Sequence, residues 1–307
     1  MIAFGPIPSR RLGRSLGVNN IPPKFCTYSC VYCQLGRTLR MQVNRRGFYA
    51  PEEIAQDVRQ QVERTGGQVD YLTFVPDGEP TLDANLGQEA ALLRSLSIPI
   101  AVITNGSLVW REDVREDLSG ADWVSLKVDS VLEPIWRRIN RPVRSLRLSA
   151  ILDGMLSFAE SYRGRLMTET MLVQGLNDGE ESLRQVAAFL ARLRPARAYI
   201  SVPTRPPAEK WVHPPAEETV LRAHQIFASA VGEVELLIGY EGDAFSATGD
   251  PREDLLRITA VHPMRREAVE ALLVRTGAGW EVVSRLVGEG LLVETEYEGR
   301  TFYTRSI

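Results

Sequence analysis

The chain has 307 residues, 44% hydrophobic and 24% charged, with a formal net charge of −3. That length holds one large α/β domain plus a small appendage, and the balance is ordinary for a globular protein. No apolar run approaches the roughly 20 residues that span a bilayer. The start, Met1-Ile2-Ala3-Phe4-Gly5-Pro6, has no basic stretch leading into an apolar one, so no signal peptide and a cytoplasmic location are expected.

Charge is uneven along the chain. Residues 1–46 hold eight Lys/Arg, from Arg10 to Arg46, and no Asp or Glu. Such a segment suits an anionic partner (a carboxylate, a phosphate or a reduced metal cluster), or forms a solvated face balanced by acids elsewhere. A first strand is expected at 15–20. Just after it, all three cysteines fall within eight residues as Cys26-x3-Cys30-x2-Cys33. An odd, clustered set argues against a disulfide framework. Positions i, i+4 and i+7 could share a helix face, although Pro22-Pro23 and Gly36 leave little room for one. Structural zinc needs a fourth ligand, and His213, His224 and His262 are isolated and distant. A Cys-x-x-Cys redox pair leaves Cys26 unexplained. A [4Fe–4S] cubane held by three thiolates keeps one iron open to a substrate or cofactor, and the count favours that reading.

Further on, strand–helix units repeat. Short Val/Ile/Leu/Tyr-rich runs place strands at 69–75, 98–104, 122–128, 166–173, 197–203 and 233–239. Helices are expected at 51–64, 84–96, 111–118, 145–162, 180–194 and 216–231, the first opened by Pro51-Glu52-Glu53 and stopped by Gly66-Gly67. This alternation predicts an α/β fold, a parallel sheet of six units curled into a partial (β/α)6 barrel over residues 1–250. Chemistry in such folds sits at the C-terminal strand ends. There the sequence places Asp77-Gly78-Glu79, Asn105-Gly106 and Gln174, with Ser125, Lys127 and Asp129 sharing one face of the 122–128 strand. Turn and capping roles would explain each of these singly. Their shared rim, which also holds the cysteines, favours a site. The Pro-rich stretch 203–215 reads as a long loop suited to a lid.

The run Cys26-Thr27-Tyr28-Ser29-Cys30-Val31-Tyr32-Cys33, with Asp77-Gly78-Glu79-Pro80, resembles the radical SAM superfamily over roughly residues 1–250. Asp77 stands where that family has the first glycine of Gly-Gly-Glu. Pro8-Ser9-Arg10-Arg11-Leu12-Gly13 together with Tyr32-Cys33-Gln34-Leu35-Gly36 resembles a group of Fe–S oxidoreductases related to wyosine-forming tRNA enzymes. The resemblance implies that Cys26, Cys30 and Cys33 ligate a [4Fe–4S] cluster and that S-adenosylmethionine (SAM) chelates its fourth iron. It implies Gly78 and Glu79 at the SAM amino group, Tyr32 against the adenine, and Asn105, Ser125 and Lys127 at the ribose and carboxylate. Leu172 and Gln174 would line the adenine. A one-electron reductant of flavodoxin or ferredoxin type would reduce the cluster, and SAM would be cleaved to methionine and a 5′-deoxyadenosyl radical.

Residues 251–307 change pattern. Helices near 252–259, 264–276 and 279–289 precede a hairpin of 291–297 and 300–305, the order of a small winged-helix-like domain. The helix that would serve for recognition, Trp280 to Val287, offers only Arg285, and the hairpin carries Glu294, Glu296 and Glu298. A DNA reader needs a basic stripe, so sequence-specific DNA binding is not expected. Three functions follow. A radical enzyme could act on an RNA base, or it could act on a protein, peptide or small metabolite. An Fe–S sensor working through the winged helix is the third, and it leaves Gly78-Glu79 and Asn105 without a use.

Overall fold

The computed structural model describes residues 2–238, 245 and 249–306. The chain begins with β1 (Ala3–Ser9) and β2 (Gly13–Val18), then two short strands that pair only with each other, β3 (Phe25–Cys26) and β4 (Arg40–Met41). The repeating units follow: α1 (Pro51–Arg64), β5 (Tyr71–Phe74), α2 (Leu86–Leu93), β6 (Ile100–Thr104), α3 (Glu112–Ser119) and β7 (Trp123–Lys127). Next come α4 (Glu133–Ile139), α5 (Leu148–Ser161), β8 (Arg165–Met171), α6 (Glu180–Leu193), β9 (Arg197–Ser201), α7 (Glu217–Ala228) and β10 (Val234–Leu237).

Among the described residues eight strands form one sheet in the order β1-β2-β5-β6-β7-β8-β9-β10. Every pairing from β2 onward is parallel, and β1 alone runs antiparallel. Strand parity separates its two faces. Leu72, Val102, Val124, Leu126, Leu166 and Ile200 face the helices and join the main apolar core. Ala101, Trp123, Met167, Tyr199 and Leu237 point the other way and meet one another with Leu12. These side chains form one apolar cluster running from β6 to β10 across the concave face of the sheet, which curls into an open half-barrel. Leu12 and Trp123 fill its floor, and the strand ends form its rim.

The expected strands and helices of the repeat are all present, with ends moved by a few residues; residue 239 of the expected 233–239 strand lies outside the described residues. The expected 84–96 helix ends as a 3-10 turn over Arg94–Leu96. β1 was not expected, since its Gly-Pro-Ile-Pro run reads as a strand breaker. An edge strand tolerates proline, and the register of β1 against β2 slips between Phe4 and Ile7, around Pro6. α4 was also not expected.

The last segment runs α8 (Pro251–Thr259), β11 (Met264–Arg265), α9 (Arg266–Thr276), α10 (Glu281–Gly288), β12 (Leu292–Tyr297) and β13 (Arg300–Arg305). Its sheet has the order β11-β13-β12. The expected 264–276 helix therefore gives up its first two residues to a strand. Asp250 caps α8, its carboxylate accepting from the Arg252 and Glu253 amides at 3.0 and 3.1 Å. A second apolar core joins Leu255, Leu272, Leu286 and Tyr303 to Phe4 and Ile7 of β1. Among the described residues no helix is long and apolar enough to cross a membrane.

Candidate functional site

The three cysteines lie on a loop stitched to the rim. Phe25 bridges Gly78, accepting a hydrogen bond from the Glu79 amide at 3.0 Å, and the Lys24 amide donates to the Asp77 carbonyl at 2.7 Å. On the other side the Ser29 and Val31 amides donate to the carbonyls of Asn140 and Ile139 at the end of α4. Cys26 sits on β3 and no helix holds the three thiols, which removes the helix-face alternative. Gly78 is fixed by this stitching. Its φ is +154°, and a Cβ there would stand 1.8 Å from the Phe25 carbonyl oxygen.

All three thiols line one cavity of about 290 Å³, close to the lower end of small-molecule sites. Amide donors approach two of them: Asn105 Nδ2 lies 3.6 Å from Cys26 Sγ, and Asn140 Nδ2 lies 3.4 Å from Cys30 Sγ. Burial pushes the thiols up, Cys30 to about 12, so without a metal they hold their protons at neutral pH. Among the described residues no three Cys, His, Asp or Glu side chains converge on a single ion. That geometry does not suit structural zinc. A cubane needs one thiolate per iron instead, and nearby N–H donors suit sulfur ligands of a cluster.

The same cavity carries buried charges without full partners. Lys24 Nζ stands 3.5 Å from Asp77 Oδ1, with both side chains about 8% exposed. Among the described residues neither Lys24 Nζ nor Asp77 Oδ2 has a hydrogen-bond partner. Burial raises the Asp77 carboxyl to about 6 despite Lys24. A buried cation and anion with spare hydrogen-bonding capacity, both on the cavity wall, fit a ligand with an ammonium and a carboxylate of its own.

A second charged group crosses the half-barrel. Glu169, inward on β8, accepts from Lys127 Nζ at 2.7 Å and Ser201 Oγ at 2.9 Å, and also pairs with Arg11. Burial alone would raise its carboxyl, but Arg11 and Lys127 outweigh burial and hold it well below the usual carboxylate range. Lys127 lies over the Tyr32 ring, 5.4 Å from its centroid. Tyr32 donates to Asp129, which also accepts from Asn140 Nδ2 at 2.7 Å and the Met171 amide at 2.9 Å.

The residues expected from the sequence separate into three groups. Tyr32, Gly78 and Lys127 line the cavity with the cysteines. Glu79 and Asn105 stand behind the wall. Glu79 is 1% exposed, and its carboxylate accepts from the Thr81 amide and hydroxyl, the Thr104 hydroxyl and the Asn105 amide. Asn105 in turn donates to Thr27 Oγ1 at 2.8 Å. Ser125 is buried on the concave face between Trp123 and Lys127. Leu172 belongs to the helix-side core, and Gln174 is exposed, its amide donating to the His213 carbonyl.

Sequence reasoning missed Lys24, Arg11 and Glu169 as site residues. Parity would have found Glu169: it is the one charged side chain in the interior of Arg165–Met171, two residues from Met167 and from Met171. The 203–215 stretch packs against the back of the cysteine loop, with Val212 against Val31 and Ile139. Glu209 there bonds both Arg37 and Arg141. The C-terminal segment reaches the same loop. Gln34 donates to the Val261 carbonyl at 3.1 Å, Arg205 bridges Gln34 and His262, and Tyr297 reaches the Pro203 carbonyl.

Comparison with known proteins agrees with this geometry. The radical SAM superfamily model matches residues 20–190. UPF0026 protein MJ1312 of Methanocaldococcus jannaschii is 48% identical, over 100% of this chain and 96% of its own. A UPF0026 protein of Helicobacter pylori is 32% identical over 68% of each chain. In fold, the chain is similar to TYW1 solved with a lysine–pyruvate adduct bound. The TM-score is 0.56 at 16% identity, covering 71% of this chain and 74% of that one.

Proposed function

Because the chain belongs to the radical SAM superfamily, we propose that its 290 Å³ cavity holds a [4Fe–4S] cluster on Cys26, Cys30 and Cys33 and one SAM molecule beside it. Members of the superfamily are enzymes that use this cluster and cofactor. When bound, the reduced cluster supplies the electron that cleaves SAM to methionine and a 5′-deoxyadenosyl radical, which abstracts hydrogen from the substrate. The single observation that carries the reading is that three thiols and the unsatisfied Lys24–Asp77 pair face one cavity.

The chain's own residues divide the remaining work. Lys24 Nζ receives the SAM carboxylate, and Asp77 with the Gly78 backbone receives its ammonium, so Asp77 serves where the family has glycine. Glu79 does not reach the ligand; it holds the Thr104 hydroxyl and the Asn105 backbone amide and thereby aims Asn105 at Cys26. Tyr32 is held against the ligand by Asp129 and Lys127. Ser125 supports Lys127 from below, while Leu172 and Gln174 act only through the backbone of the β8–α6 turn. The Arg11–Glu169–Lys127 group keeps the inner wall polar and charge-paired, and a site that excludes water confines a radical to one C–H bond.

Residues 251–307 form a winged-helix-like domain that closes the open edge of the half-barrel beside Gln34 and Arg205. The substrate is a group small enough to enter singly, such as an RNA base, a peptide side chain or a small metabolite. The basic residues of 1–46 favour the RNA base, and the acidic β12–β13 hairpin favours the others. Anaerobically reconstituted, reduced protein should convert SAM to 5′-deoxyadenosine, slowly even without substrate. No product from a verified full cluster would overturn the reading. Lys24→Met should weaken SAM binding at least about tenfold by equilibrium titration, as loss of a charge-assisted pair requires.

A further inference from the structure

The electron must enter from outside, and the surface over Cys26 has the features of an entry point. In the β3–β4 ribbon Cys26 is registered against Met41 and Phe25 against Arg40. Adjacent strands lie about 4.8 Å apart, and the Gln42 amide donates to the Cys26 carbonyl at 3.2 Å. The exposed outer strand of the ribbon therefore runs one strand spacing from Cys26. That strand is capped by exposed apolar side chains, Leu39 at 73% and Met41 at 41%.

The two chain segments that flank the apolar spot carry charge of one sign, although Asp113 and Asp117 pair with Arg45 from outside them. Residues 24–49 and 140–149 contain no Asp or Glu. The second stretch flanks Cys26 on its other side, where the Val143 amide donates to the Thr27 carbonyl and Tyr28 bridges Pro142. Arg40 and Arg46 lie over the Phe25 ring at 5.5 and 5.7 Å. These two and exposed Arg144 pair with no carboxylate among the described residues. Arg37, further along the rim, is 69% exposed although it pairs with Glu209.

We propose that this face, Leu39 and Met41 ringed by Arg40, Arg46 and Arg144, docks an acidic one-electron carrier protein of the flavodoxin or ferredoxin class. The inference rests on the cluster assignment above. A small apolar centre within a one-signed rim suits transient redox encounters, which bury less than about 1,200 Å², and opposite charge speeds their association. The transfer is one electron: flavodoxin hydroquinone becomes semiquinone as the oxidised cluster becomes reduced. RNA would also meet the arginines, but it needs open aromatic faces for stacking. Arginines cover Phe25, and Arg46 also covers Phe48 at 4.9 Å.

The test uses the reconstituted holoenzyme and follows bleaching of cluster absorbance by stopped flow, with flavodoxin hydroquinone or dithionite as donor. Arg144→Glu and Leu39→Ser should each slow reduction by flavodoxin, the former about tenfold at low salt. Reduction by dithionite and SAM binding should stay at wild-type levels, and high salt should erase the wild-type advantage. Unchanged flavodoxin rates, or equal loss with both donors, would overturn the proposal. So would a tRNA gel shift abolished by Arg144→Glu while flavodoxin rates hold. Bleaching needs no SAM turnover. Normal bleaching without 5′-deoxyadenosine would therefore indict the catalytic reading and leave the docking face standing.

Discussion

Replacing Glu79 with glutamine separates two roles for that side chain. Its Oε1 accepts from the Thr81 amide at 3.0 Å, the Thr81 hydroxyl at 2.6 Å and the Thr104 hydroxyl at 2.5 Å, and Oε2 accepts from the Asn105 amide at 2.8 Å. Glutamine keeps the shape but puts an NH2 where one oxygen was. If the NH2 takes the Oε2 position, it meets the Asn105 N–H, leaving two buried donors face to face at about 1–3 kcal/mol. The other bonds drop from charge-assisted to neutral, about half as strong. The total is about 3 kcal/mol, and roughly 2–4 °C per kcal/mol at this size makes it about 6–12 °C in Tm. The assay is thermal unfolding of the apo-protein with chelator present, where no lost ligand can contribute. An apo Tm within about 1 °C of wild type, together with lost SAM binding, would refute the strut and make Glu79 a direct ligand.

Three further substitutions probe the site and the core. Cys30→Ala should lose the visible absorbance of the reconstituted cluster and all SAM cleavage; keeping both would remove Cys30 from the ligand set. Gly78→Ala must displace the Phe25 carbonyl, 1.8 Å from the new Cβ. Cluster loading should fall with it, as iron and sulfide analysis can check. Burial beside Asp83 raises the Glu89 carboxyl to about 9. A folded value above the unfolded one means its stabilisation is complete below about 4.5 and is lost as pH climbs towards 9. Glu89→Gln should therefore flatten the fall of Tm over that window, and at pH 8 gain at least about 1.4 kcal/mol, the worth of one pKa unit. An unchanged slope would show that Glu89 is not the titrating group.

Periodicity made most of the half-barrel legible, because each β/α unit buries its strand on both faces and punctuates itself with turn residues. The cysteine spacing likewise located the cavity. What stayed hidden depends on contacts distant in sequence. Nothing local in Glu79 tells that Thr104 and Asn105, 25 and 26 residues on, use up its oxygens. Lys24 reads as one basic residue among many until the loop after β5 brings Asp77 against it. α4 is only seven residues long, yet it delivers Asn140 to Cys30 and Asp129. β1 was invisible because its prolines are tolerated only where no further strand must pair.

That edge strand has a practical consequence. β1 has no further strand on its outer side, where Asp57 and Gln61 of α1 bond part of its backbone, and it turns Phe4 and Ile7 into the core shared with α8 and α9. Ending the chain near residue 250, the obvious way to isolate the barrel for crystallisation, would bare an apolar, open sheet edge. Such edges recruit their own kind. A shortened barrel would then be a solubility problem before it was an enzymological one, and work on the isolated barrel should keep α8 in place or put charge at Phe4.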